Sequence, residues 1–188
     1  MIKRCTWPGT DPDMLDYHDR EWGIPCHDDV RLFEYVLLDT FQAGLSWRII
    51  LHKRAGFRKA FANFNPKRIA KFTSRDVGRL MKDTDIIRNK QKILATISNA
   101  RAFLKTQIEF KSFDKYIWNF VNGKPIVNKW KNNSQLRSSS PESDKMSKNL
   151  KKCGFKFVGP TICHAFMQAS GLINDHLITC FRYNQPKK

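Results

Sequence analysis

The sequence predicts an all-α protein, and three observations carry that expectation. Apolar residues recur at three- and four-residue spacing, cap residues stand where the periodic runs begin and end, and no stretch alternates apolar and polar as a half-buried strand does. With 188 residues, a hydrophobic fraction of 41%, fourteen Phe and five Trp, the chain can bury the core of one ordinary domain, or of a large domain with a smaller companion. No internal repeat at a solenoid period is present.

The elements follow in order. In "VRLFEYVLLDTFQAG", Val30, Phe33, Leu37 and Phe41 fall on one face, and Leu32, Val36 and Leu38 fill most of the rest of the wheel. Such a helix is apolar nearly all round and belongs inside the protein. "SRDVGRLMKD" opens after a Thr73–Ser74 cap, and "KQKILATISNARAFLKT" sets Ile93, Ile97, Ala100 and Leu104 opposite Lys and Arg. "NGKPIVNKWKNNSQLRSSSPE" is polar, basic and turn-rich, so it reads as a long loop or a join between two helical groups. Ser140, Pro141 and Glu142 then supply the cap, first-turn proline and first-turn acid of a helix that stops before Gly154, a residue suited to the left-handed position after a helix. Gly159 and Pro160 open the next helix.

Helix, short turn with two glycines, helix is the pattern of a helix-hairpin-helix. Glycines let a backbone approach a phosphate, and the free N–H groups at the start of the second helix favour an anion. Gly154, Lys156, Gly159 and Thr161 are therefore the candidate DNA-binding residues, with Lys151 and Lys152 beside them. A turn of this kind is also the ordinary connection of an αα-hairpin, so the flanking charge matters. The whole chain supports that reading, because 34 Lys+Arg against 17 Asp+Glu leave a formal charge of +17. Such a balance points to a polyanionic partner, most often nucleic acid.

No run of about 18 apolar residues exists, and the first residues, "MIKRCTWPGTDPD", lack the apolar stretch of a signal peptide. No membrane partner and a cytoplasmic location are expected. In that setting the odd set of Cys5, Cys26, Cys153, Cys163 and Cys180 argues for reduced thiols or metal ligation rather than a disulfide framework. His176 and Cys180 stand four residues apart, which on a helix would face them one way and offer two corners of a zinc tetrahedron. Cys5 and His18 are candidates for the other two. The set would be a closed structural site stapling the N-terminal segment to the last helix. Cys26 with His27 and Cys163 with His164 compete, but adjacent residues on a helix point apart.

Trp7, Tyr17, Trp22 and Trp47 all fall in the first quarter of the chain, interleaved with Asp16, Asp19, Glu21 and Asp39. They are either a Trp-rich core or a pocket whose ring faces hold a flat, cationic ligand. Asp39 is the odd residue, a carboxylate on the otherwise apolar helix, which requires a partner or a cavity.

Taken together, "YHDREWGIP", "QAGLSWRIIL", "IIRNKQKILATISNARAFL", "WNFVNGKP" and "LKKCGFKFVGPTICHAFMQASGLINDH" with the closing Cys180 resemble, in order and spacing, the DNA-3-methyladenine glycosylase I family of the helix-hairpin-helix superfamily. Only the loop around residues 126 to 142 and the tail after Cys180 look unlike it. The resemblance implies one glycosylase unit over residues 1–188 with two helical lobes, one from roughly 1–35 plus 140–188 and the other from roughly 36–139. It implies one structural Zn2+ per chain on Cys5, His18, His176 and Cys180, and Trp47 stacked on the excised base with Tyr17, Trp7 and Trp22 around it. It also implies a monomer that acts on alkylated double-stranded DNA, without strand cleavage by a lysine nucleophile. Asp39 matches the family's base-contacting Glu and is one methylene shorter, and Met14 stands where the family usually has an aromatic ring. These two departures motivate an alternative, a zinc-stabilised damaged-DNA-binding protein with altered or lost excision. A zinc hydrolase is disfavoured because four protein ligands leave no open position. Asp175 lies near the place of the wider superfamily's catalytic Asp, and a role behind His176 is as plausible.

Overall fold

The computed structural model describes residues 2–185. In chain order it contains α1 (Pro12–Arg20), α2 (Asp29–Gln42), α3 (Trp47–His52), α4 (Arg54–Ala60), α5 (Pro66–Ile69), α6 (Ser74–Leu80), α7 (Lys90–Phe110), α8 (Phe113–Trp118), β1 (Ile126–Val127), α9 (Pro141–Lys152), α10 (Pro160–Ala169) and β2 (Ile173–Asn174). The helical expectation holds, with one addition: β1 and β2 pair in parallel, Ile126 opposite Ile173 and Val127 opposite Asn174. The long loop is thereby sewn to the segment after α10, by backbone bonds that period-two patterning in so short a run could not announce.

Local chemistry sets the helix starts. The Asp11 carboxylate accepts the N–H groups of Asp13 and Met14 at 3.0 and 3.2 Å, ahead of Pro12 in the first turn of α1. Thr73 and Asp76 form a capping box for α6, and Ser140 and Ser143 do the same for α9. Gly154, at φ +93, turns the chain after α9, and Gly159 and Pro160 begin α10 as expected.

Two helices differ from their wheels. In α2 every residue from Leu32 to Phe41 is buried, but Val30 is 47% exposed because the first turn faces outward. In α7 Ile93, Ile97 and Ala100 are buried and Leu104 only half so. Lys92, expected on the solvated face, is buried instead. Its ammonium donates to the carbonyls of Phe41 and Ala43 at 2.8 and 2.5 Å, which the end of α2 leaves without helical partners. That bond fixes the C-terminal turn of α2, and burial lowers the Lys92 pKa.

The larger core cluster gathers α2, α7, α8 and α10, with Phe33 and Phe103 at 5.0 Å and Phe103 and Phe113 at 4.4 Å between ring centroids. A smaller cluster joins segments near both ends of the chain: Cys5, Met14, Tyr17, Trp22, Leu51, Leu177 and Cys180. Trp47 packs against both. Gly171 allows the two segments to meet, since at φ +73 any Cβ there would run into the backbone of Ile24.

His176 and Cys180 are not on a helix. Residues 175–180 form an irregular turn in which Cys180 N–H donates to Leu177 O at 2.8 Å and Ile178 N–H donates to Trp130 O at 2.9 Å. Cross-segment bonds replace the helical ladder after β2.

Candidate functional site

Two adjoining sites occupy the seam between the clusters. In the first, Cys5, His18, His176 and Cys180 are all buried, and one ligand atom from each lies within 4.8 Å of every other. Cys180 Sγ is 3.5 Å from His18 Nε2 and 3.5 Å from His176 Nδ1, and Cys5 Sγ is 3.6 Å from His176 Nδ1. The nitrogens that face away are occupied. His18 Nδ1 lies 2.7 Å from Asp19 Oδ1 and His176 Nε2 lies 3.0 Å from Trp22 O, so each ring presents its other nitrogen inward. Burial acts to raise the Asp19 carboxyl, but the Arg4 guanidinium at 2.8 Å and His18 hold it below its ordinary range. The Cys5 thiol and the two imidazoles favour the Cys180 thiolate, the form that binds metal. This buried group could hold a metal ion with four protein ligands, and it forms although the helical spacing that suggested it is not realised.

The second site is a cavity of about 270 Å³ lined by residues of several elements. Trp7, Tyr17 and Trp22 come from the N-terminal segment and α1. Trp47 heads α3, Asp39 and Gln42 lie on the last turns of α2, Ala165 and Gln168 on α10, and Leu136 and Arg137 on the long loop. The rings stand at angles, Trp7 to Trp22 at 5.0 Å and 66° and Tyr17 to Trp47 at 5.1 Å and 49°, so they form walls and leave a slot between them. Met14 is buried in the same apolar cluster but is not among the lining residues.

Four polar atoms of this cavity are unpaired. Among the described residues, Trp7 Nε1, Trp47 Nε1, Asp39 Oδ2 and Gln42 Oε1 are buried and find no hydrogen-bond partner. Buried polar groups are ordinarily satisfied, so four orphans lining one cavity mark it as a place for a polar occupant. Burial pushes the Asp39 carboxyl well above its ordinary range, and an entering cation would favour the ionised form. Among the interleaved acids only Asp39 reaches this cavity. Glu21 holds Arg54 through bonds of 2.6 and 2.9 Å, Asp16 pairs with Arg20 at 2.8 Å, and Asp19 serves the first site.

Sequence reasoning missed Gln42, Leu136, Arg137, Ala165 and Gln168. Gln42 carried a signal, since it stands three residues after Asp39 and so shares its face of α2. Gln168 Nε2 donates to Asp175 Oδ2 at 2.7 Å. Asp175 also accepts from Asn128 Nδ2 and Trp130 Nε1, both at 2.7 Å, and His164 Nε2 lies 3.4 Å away. Its carboxylate thus braces the cavity wall and the long loop, and no bond joins it to the cysteine–histidine group, contrary to the role behind His176. Gly154, Lys156 and Gly159 fall on the turn between α9 and α10 and Thr161 in the first turn of α10: Gly154, Lys156 and Thr161 are exposed and Gly159 is half-buried. Asn99 of α7 holds that turn, accepting from Lys156 N–H at 2.7 Å and donating to Lys156 O at 3.1 Å. Among the described residues no helix is long and apolar enough to cross a membrane.

A family model described as methyladenine glycosylase matches residues 7–183. The chain is 46% identical over 187 residues to DNA-3-methyladenine glycosylase 1 of Escherichia coli, covering 98% of this chain and all of that one. It superposes on a crystal structure of 3-methyladenine DNA glycosylase I with a TM-score of 0.94 and 48% identity, over 96% of this chain and all of the other. A variant 3-methyladenine DNA glycosylase I solved in complex with 3-methyladenine matches with a TM-score of 0.94 and 35% identity over 98% of this chain and 99% of that one.

Proposed function

Because this chain belongs to the methyladenine glycosylase family, we propose that it excises N3-methyladenine from alkylated double-stranded DNA by hydrolysing the N-glycosidic bond. The observation that carries the reading is the aromatic cavity with four unpaired polar atoms around a buried Asp39. N3-methyladenine in DNA is cationic and poorly paired, so extruding it costs less than flipping a normal base. Trp7, Trp22, Trp47 and Tyr17 offer ring faces to the cation, and its charge offsets the burial that raises the Asp39 pKa, favouring the carboxylate over the acid. Gln42 Oε1 accepts from a base N–H. When the bond to the sugar breaks, the base departs neutral with the bonding electrons, and water adds to the sugar carbon and releases a proton. Lys92, whose ammonium is committed to two carbonyls, is not a nucleophile, which accords with hydrolysis and no strand cleavage.

Zinc is the ion proposed for Cys5, His18, His176 and Cys180. A thiolate at about 2.3 Å and an imidazole at about 2.0–2.1 Å around a tetrahedral centre require S···N edges of about 3.6 Å, and edges of 3.5 and 3.6 Å support that fit. Its part is to hold the chain's two terminal segments together. Gly154, Lys156, Gly159 and Thr161 form the hairpin that grips one DNA strand without reading sequence. The helical lobes divide roughly as 1–35 plus 140–188 and 36–139, and the protein works as a cytoplasmic monomer.

The decisive experiment is release of free N3-methyladenine from methylated duplex by purified protein, beside Asp39→Asn and Trp47→Ala. Loss of release in both variants supports the reading. A folded, zinc-loaded wild type that binds damaged duplex and releases nothing would make it a binding-only protein, the alternative motivated by the shorter Asp39.

A further inference from the structure

The long loop brings to the cavity mouth a cation that the base does not call for. Arg137 lines the cavity beside Leu136, yet its guanidinium is exposed and, among the described residues, has no carboxylate partner. Its carbon Cζ sits 5.7 Å from the centroid of Trp130, within range of a cation–π contact. Trp130 is fixed at two points: its indole N–H donates to Asp175 at 2.7 Å and its carbonyl accepts from Ile178. Gln135 closes the turn between them by accepting from Lys131 N–H at 2.6 Å, and Asn133 reaches Thr6 across the seam. The arginine thus lies over a ring anchored by hydrogen bonds, and the same Asp175 carboxylate holds Gln168 of the cavity wall.

A guanidinium so placed opposes a cationic base and attracts what lies just outside it. A nucleotide whose base fills the cavity has its sugar at the mouth and a phosphate on either side of that sugar. The planar fork of an arginine matches two phosphate oxygens, and the tryptophan face reduces the freedom lost on forming those bonds. We propose that Arg137, stacked on Trp130, is a phosphate clamp for the backbone flanking the extruded nucleotide. The inference rests on the glycosylase reading for the presence of that nucleotide, and it adds a lesion-dependent contact separate from the general charge of the hairpin.

The test uses the full chain and duplexes that differ only in whether they carry a tetrahydrofuran abasic analogue. Affinities of wild type, Arg137→Ala and Arg137→Lys are measured across a salt series, with tryptophan fluorescence reporting binding of free 3-methyladenine. Arg137→Ala is expected to bind the analogue duplex about 10-fold more weakly, to flatten the plot of log affinity against log salt by about one unit, and to keep its affinity for the free base. Its preference for analogue over undamaged duplex should fall, and Arg137→Lys should restore the salt slope and only part of the affinity. An equal loss on both duplexes would reduce Arg137 to general surface charge, and a change in free-base affinity with an unaltered slope would move the guanidinium onto the base. Either result overturns the clamp. Failure of the wild type to release base would overturn the glycosylase reading instead, since these binding measurements do not depend on excision.

Discussion

The cysteine–histidine group and the aromatic cavity lie side by side, yet their polar atoms are arranged in opposite ways. Around Cys5, His18, His176 and Cys180 every outward ring nitrogen has a partner, and the four inward atoms converge on one another. In the cavity, Trp7 Nε1, Trp47 Nε1, Asp39 Oδ2 and Gln42 Oε1 have none. A group suited to keeping an ion permanently can be finished by the fold itself. An occupant that must enter and leave requires groups whose bonds are completed only on arrival, and the empty state bears the cost of their desolvation. The two share a wall: Trp22 gives His176 its carbonyl acceptor while its ring lines the cavity.

The largest test of this contrast is Cys180→Ser. With one ligand lost, bound zinc should fall below one per chain and stability should drop by several kcal/mol, read by metal analysis and thermal melting. Excision would fall with it through Trp22. Trp47→Ala should do the reverse, lowering release of N3-methyladenine about 10–100-fold, as expected for a lost base stack, while zinc content stays unchanged; loss of zinc there would mean that the two sites are one unit. Asp175→Asn replaces one of the two oxygens that together accept three bonds with a donor, and should cost about 1–3 kcal/mol by denaturant titration with zinc retained.

Asp39→Asn is the smallest effect and the sharpest. The native pKa of Asp39 lies above its unfolded value, so the folded protein binds the extra proton, and stability falls as pH rises above about 4 toward the native pKa. The variant lacks that dependence. It should be more stable than wild type at neutral pH, lose the difference near pH 4, and release base more slowly. A variant less stable than wild type at pH 7 would show that Asp39 is satisfied in the empty cavity.

Legibility from sequence follows the same divide. The convergence of Cys5, His18, His176 and Cys180 could be read because cysteine and histidine are rare and chemically distinctive, even though the helix assumed for the last pair is a turn. Asp39 could be read because a carboxylate contradicts its apolar helix. Gln168 and Arg137 could not, since nothing in a polar residue's neighbours along the chain says which surface it will face, and the parallel pairing that carries the loop to the mouth leaves no periodic trace. Lys92 misled for the complementary reason: its aliphatic stem can be buried while its charge satisfies carbonyls that the wheel does not display.

The order of the cysteine–histidine group along the chain bears on synthesis. Cys5 and His18 leave the ribosome early, and His176 and Cys180 more than 150 residues later. A nascent chain therefore carries half a ligand set throughout its elongation, two groups that bind an ion weakly and reversibly. Closing so long a loop has an entropic cost of about 4–5 kcal/mol, met only after the helices between have folded and drawn the segments together. On the proposed zinc reading, tight retention of the ion would mark a chain that has been both translated past Cys180 and folded, and a truncated product would remain metal-poor.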